Sequence, residues 1–212
     1  MTRGDLRARA LDAVNEDASA PVFVSTNEVD GLLDEALEVI AEETLAIRRT
    51  ALIEVRPGTI FYPTRAVAAD CLLPYRLWLH HLGYRLTPTS MPQLDQRHRT
   101  WPTVTGDPTH WFPVSWDLFG IWPGGASGGG VVRVDYFAWP TAMQHDDEEP
   151  ELPLADHDVL VAYAAHEIFL KRWDIPMGVG AWRTFAKAAL GAKDRAGVGR
   201  MRARSFQPEE TT

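Results

Sequence analysis

Apolar positions recur at three- and four-residue intervals in "STNEVDGLLDEALEVIAEETLAIRRT", where Val29, Leu32, Leu33, Ala36, Leu37 and Ile40 fall on one side of a helix. Ser25 and Glu28 stand at the spacing of a capping box, in which each side chain meets a backbone N–H of the first turn. Acids crowd the front, and Arg48 and Arg49 stand at the back, the order that the helix dipole favours. A shorter helix is predicted before it from Leu6, Ala10, Leu11 and Val14, closed by the breaker "ASAP". Two more are predicted toward the other end. "DHDVLVAYAAHEIFLKRW" (Asp156 to Trp173) spaces Val159, Leu160, Tyr163, Ala164 and Phe169 helically, "DIPMGVGAW" breaks the pattern, and "AWRTFAKAALGAKDRA" makes a last, more basic helix.

Between these pairs the texture changes. From Ala51 to Pro140 the chain runs through β-branched and aromatic stretches punctuated by Pro and Gly, which predicts short antiparallel strands. Within "WDLFGIWPGGASGGGVVRVDYFAWPT" (Trp116 to Thr141), two strand-like runs flank "GGASGGG", whose lack of side chains predicts a long hairpin with a mobile tip. The expected class is α+β: a helical bundle of about four helices with an inserted antiparallel β region and an extended C-terminal tail. The expected boundaries are 1–50 and 150–197 for the bundle, 51–149 for the β region with its Gly-rich hairpin, and 198–212 for the tail.

Composition narrows the function classes. The 212 residues suffice for one core with a substantial insertion. With 45% hydrophobic and 24% charged residues the chain is a folding one, not a disordered one. Its single cysteine, Cys71, excludes an internal disulfide framework. The charged N-terminus has no apolar signal core and no later stretch has about 18 uninterrupted apolar residues, so the expectation is a chain made in the cytosol with no membrane partner. A net charge of −8 argues against general nucleic-acid binding. The charge is unevenly distributed: acids concentrate in "HDDEEPELPLADHD" (His145 to Asp158), whereas Lys187, Lys193, Arg195, Arg200, Arg202 and Arg204 make the end basic.

No catalytic constellation emerges. His166-Glu167 begins like a zinc-protease helix, but Leu170 occupies the place of the second histidine. His80 and His81 lie in a strand-like run, where neighbours point to opposite faces and cannot share an ion. "HDDEE" (His145 to Glu149) lacks the alternating spacing and turn glycine of a calcium loop. Cys71 sits in an apolar setting that raises a thiol pKa. Neither glycine-rich stretch has the ending of a P-loop. The expectation is a non-enzyme with no metal and no cofactor. Of the eight tryptophans, Trp78, Trp101, Trp111, Trp116, Trp122 and Trp139 lie in or beside the β region, where core and interface packing is the favoured role.

The order of features resembles the head-to-tail adaptor (connector) proteins of tailed bacteriophages, a family also found in gene transfer agents. The likeness is carried by the capped helix "STNEVDGLLDEALEVIAEE", by "GTIFYPTR", and by "YRLTPTSMPQLDQRHRTWPTVTGDPTHW" with its Leu-Asp, Trp and Gly-x-Pro-aromatic pattern. It continues through "LFGIWP" and "VVRVDYFAWP" to "ELPLADHDVLVAYAAHEIFLKRWD", and covers roughly residues 20 to 190.

The resemblance implies a structural virion protein at the neck between head and tail. About a dozen copies, a dodecamer, form a ring beneath the portal with their helices side by side. The implied partners are the portal protein, other copies of the chain, the next neck or tail component (stopper or tail tube), and DNA that passes the lumen without specific binding. The implied portal-docking residues lie in the C-terminal tail: Arg200, Met201, Arg202, Arg204 and Phe206. The implied contacts to a neighbouring subunit or the next ring lie in the hairpin: Trp122, Gly124, Gly125, Gly128, Gly129 and Gly130. The rival from another class is a carbohydrate- or surface-binding module of a phage-like particle, with tryptophans as stacking platforms. A third reading is a metal-dependent hydrolase built around His145 to Glu149.

Overall fold

All four predicted helices form, with ends that differ in places from the pattern. In the computed structural model, which describes residues 1–97, 99–126 and 130–196, α1 (Arg3–Ala13) and α2 (Thr26–Thr44) come first. Strands β1 (Arg48–Val55), β2 (Phe61–Pro63), β3 (Cys71–Leu79), β4 (Tyr84–Arg85) and β5 (Thr87–Pro88) precede a short helix, α3 (Met91–Arg97). Then come β6 (Thr105–Gly106), β7 (His110–Pro113), β8 (Leu118–Trp122), β9 (Gly124–Gly125) and β10 (Gly130–Ala138), followed by α4 (His157–Lys171) and α5 (Ile175–Ala196). The class is mixed α+β, with five α-helices among the described residues. Two compact units divide the described residues: a helical one from residues 1–47 and 140–196, and a β one from residues 48–139.

In the helical unit, α1 carries a complete capping box, with aspartate in the place that glutamate usually fills. Thr2 Oγ1 accepts from Asp5 N at 3.3 Å, and Thr2 N donates to Asp5 Oδ2 at 3.0 Å. The box predicted on α2 is only half made: Ser25 Oγ accepts from Glu28 N at 3.3 Å, but the Glu28 carboxylate takes the Lys171 ammonium instead. This helix also ends sooner than predicted. Leu45, in the left-handed conformation at φ 49, closes it with its N–H on Ala41 O. That conformation costs roughly 1–2 kcal/mol for a side-chain-bearing residue, and burial of the leucine offsets it. Arg48 and Arg49 consequently open β1 and play no part in the last turn of α2.

The core of this unit interleaves Leu6 and Leu11 of α1, Leu33, Leu37 and Ile40 of α2, and Leu160 and Ile168 of α4, all at 0% exposure. One buried charge sits beside it. Asp30 is 5% exposed, and the Arg7 fork grips both its oxygens, Nε to Oδ1 at 2.6 Å and Nη2 to Oδ2 at 2.7 Å. The same guanidinium reaches Asp146, with Nη2 at 2.5 Å and Nη1 at 3.2 Å. Arg3 N and Gly4 N donate to the carbonyls of Glu148 and Asp146. The acidic run after the β unit thus ties α1 down, because a buried carboxylate requires an opposite charge and directed hydrogen bonds.

In the β unit, one sheet has the order β1-β10-β3-β4, antiparallel throughout. Its inner positions alternate as a half-buried sheet requires: Ile53 and Val55, Val132 and Val134, Leu77 and Leu79 are buried. The other sheet has the order β2-β8-β7-β5, with β5 parallel to β7. Leu94, Trp101, Phe112 and Trp122 pack as one cluster at this second sheet. Trp101 Nε1 donates to Asp95 of α3 at 2.7 Å, and Trp122 Nε1 donates to Trp101 O at 2.8 Å.

The predicted glycine hairpin does not exist. Both edges of β8 are already occupied, by β2 and β7, while β10 inserts between β1 and β3 of the other sheet. β8 and β10 therefore belong to different sheets, and the chain crosses from one to the other after Trp122. It leaves β8 through a cis Trp122–Pro123 bond, and Gly124–Gly125 pair in parallel with β6 and bridge to Pro57. These two glycines serve close approach and not freedom: a Cβ on Gly125 would meet Val55 Cγ1 at 2.7 Å and Arg56 O at 2.9 Å, and one on Gly124 would meet Gly58 C at 3.2 Å.

Candidate docking surface on the last helix

Helix α5 starts six residues before the sequence pattern placed it, because "DIPMGVG" is a helix start and not a breaker. Trp173, left-handed at φ 60, ends α4. Asp174 then caps α5, its carbonyl accepting from Gly178 N at 3.0 Å and its carboxylate from Met177 N at 3.4 Å. Pro176 falls in the first turn, where its missing N–H has no partner to lose. An Asp followed by Pro at two residues' distance was the available signal.

Two faces of α5 are apolar. The inner seam repeats every seven residues through Gly178, Phe185 and Ala192, all buried. Gly178 lets α5 approach α4 closely, since a Cβ there would lie 3.1 Å from Leu170 Cδ2. Its carbonyl lies 2.8 Å from His166 Nδ1, which must therefore carry the proton. The His166 ring lies 5.0 Å from that of Trp182, and Trp182 lies 5.0 Å from Phe185. His166 is thus a packing and positioning residue of the helix pair.

The outer seam is Ile175, Val179, Trp182, Ala186 and Leu190, at three- and four-residue intervals. Trp182 is 44% and Leu190 65% exposed, and Trp173 at the helix entrance is 85% exposed. Contiguous apolar exposure of this kind on one helix marks an interaction surface. Arg183 and Lys187 flank the stripe on the solvent side, while Lys193 pairs with Glu43 and Arg195 with Asp156.

The other residues that the sequence singled out fall elsewhere. Trp122, Gly124 and Gly125 are buried inside the β unit and present no surface. Gly130 opens β10. Gly128, Gly129, Arg200, Met201, Arg202, Arg204 and Phe206 lie outside the described residues. His80 and His81 are both exposed in the turn after β3, in place of the predicted inward and outward pair. Burial pushes the Cys71 thiol up to about 12. Among the tryptophans of the β region, Trp101 and Trp111 join Trp122 in the interior, Trp78 and Trp139 are half-buried, and Trp116 is exposed at the β7–β8 turn. Among the described residues, no group of three His, Cys, Asp or Glu side chains is placed to hold a metal ion, and no helix is long and apolar enough to cross a membrane.

A family model described as SU10 adaptor protein matches residues 1–208. No curated protein matches the chain.

Proposed function

We propose that this chain, which belongs to the SU10 adaptor protein family of phage head-to-tail adaptors, forms a ring beneath the portal and joins the capsid to the tail. Membership makes it a structural component of the virion, associated with other virion proteins such as those of portal and tail. In the proposed assembly, copies stand side by side through the outer seam of α5, and the β unit faces the next neck or tail component. The C-terminal segment, with Arg200, Met201, Arg202, Arg204 and Phe206, orders on the portal, where contacts offset the entropy of fixing it. An acidic chain lets DNA slide through the lumen without gripping its phosphates.

The observation that carries this reading is the second apolar seam of α5 in a chain of this family. With its inner seam packed against α4, α5 still presents Ile175, Leu190 and the outer part of Trp182 on an exposed face. Truncation after Val198 tests the portal joint. The shortened chain keeps its helical circular dichroism and loses capture by the portal protein by at least about a hundredfold, a difference of about 2.7 kcal/mol. Undiminished capture would remove the tail from the joint.

A further inference from the structure

The outer face of the β1-β10-β3-β4 sheet carries an arginine and aromatic ladder that neither the α5 seam nor the tail uses. Cross-strand register aligns Leu52, Arg133, Trp78 and Arg85 in one row, and Thr50, Asp135 and Arg76 in the next. Directly paired residues share a face. The Arg133 and Arg76 guanidinium carbons lie 5.2 and 5.7 Å from the centre of the Trp78 ring. Beneath them the buried Asp135 accepts from Arg76 Nε at 2.6 Å and from Thr50 Oγ1 at 3.0 Å, with Arg133 Nε at 3.4 Å.

One carboxylate therefore answers two guanidiniums, and Arg85 is exposed with no acidic partner among the described residues. In a chain of net charge −8 this face carries a local positive surplus. It also has unmet hydrogen-bonding capacity: Trp78 Nε1 is buried without an acceptor, and Arg133 Nε faces Asp135 as an ion pair at 3.4 Å without a hydrogen bond. Both residues line a hollow of about 220 Å³ shared with His80 and Gly83. A carboxylate entering there as the Arg133 guanidinium turns toward it supplies the acceptor.

We propose that this face docks the acidic stripe of α2 from a second copy of the chain, centred on Glu38 and Glu42. These two glutamates stand one helical turn apart and are exposed, with no cationic partner among the described residues. Their neighbours are engaged: Glu28 holds Lys171, Glu43 holds Lys193, and Glu35 accepts from the Tyr163 hydroxyl. Surplus arginine on one unit and surplus glutamate on the other are complementary between copies. The contact joins two different patches, and in the ring proposed above it repeats from each copy to the next. Leu52, 56% exposed, gives the row an apolar edge for the aliphatic stems of the glutamates. This contact rests on the ring assembly proposed above.

Arg76 and Arg133 neutralise a buried carboxylate and are unsuitable for mutation; Arg85 and Leu52 are surface positions. The test co-expresses the full chain with the portal protein and counts copies per complex by native mass spectrometry, with melting temperature and circular dichroism as folding controls. Arg85→Glu with Leu52→Glu abolishes the full complement, as does Glu38→Arg with Glu42→Arg. All four changes in one chain restore it. A wild-type chain that fails to assemble with the portal removes the ring, and this contact with it. Full assembly by the singly reversed variants overturns the contact while leaving the ring. Loss without rescue assigns the face to another acidic partner and overturns the second copy as occupant. Intact assembly with loss of duplex DNA binding in a filter assay gives the face to nucleic acid, and overturns the proposal equally.

Discussion

Glutamate at Trp182 and Leu190 leaves the helical unit folded and abolishes multi-copy assembly on the portal. Neither change falls on the inner seam of α5 at Gly178, Phe185 and Ala192. What the fold loses is the buried half of the Trp182 side chain and its ring contacts with His166 and Phe185, each at 5.0 Å, a cost of about 2 kcal/mol. The assembly loses more. Buried aromatic anchors dominate interface energies at 2 kcal/mol or more apiece as a rough rule, and a carboxylate left in their place must be desolvated without a partner. Each neighbouring pair of copies suffers both effects, so the defect multiplies around a closed ring. Sedimentation of the chain mixed with portal protein reads the outcome: free chain at its own mass, and portal without its complement. Normal complexes from this double variant would show that the seam of α5 faces solvent in the assembly.

Gly120→Ala unfolds or severely loosens the β unit, although the change adds a single methyl group. Gly120 pairs across the sheet with Phe112 on one side and Phe61 on the other, and the Phe112 ring lies directly over it. A Cβ at this position would stand 2.1 Å from Phe112 Cζ, with Cε2 and Cε1 at 2.4 and 2.6 Å. The ring has no room to withdraw. Phe61 meets it edge-on at 6.2 Å and Trp101 at 5.7 Å, and Phe112 itself is fully buried. Overpacking of this kind costs about 3 kcal/mol or more when neighbours cannot yield. In urea titrations followed by tryptophan emission, the transition reporting Trp101 and Trp122 shifts to lower denaturant. An unchanged transition would mean that the Phe112 ring leaves its seat at little cost.

These two sites show what a single sequence discloses. The helices were legible because their apolar spacing, caps and charge gradients are local, and Ser25 and the run from Val159 to Phe169 express them within a few residues. Their limits were less so. Leu45 in a left-handed cap carries no glycine to announce it, and Pro176 marks a beginning where the surrounding glycines suggested a break. Strand content was legible from texture, but partnership was not: β8 and β10 are separated by a glycine run that fits a flexible hairpin tip, and only the occupied edges of β8 exclude it. Glycine serves both mobility and close packing, and the structure shows that Gly124 and Gly125 serve the second. The α5 seam was hidden differently. Apolar residues on a helix announce burial, and which of two apolar faces remains uncovered depends on where α4 lies.

The measurement that bears most directly on the assembly is the native mass of the complex that the unmodified chain forms with its portal protein. The adaptor reading predicts one portal ring carrying a full ring of about a dozen copies at saturation, with no intermediate complement dominating. A portal that stays bare in the presence of folded chain, or that takes a single copy, would contradict it.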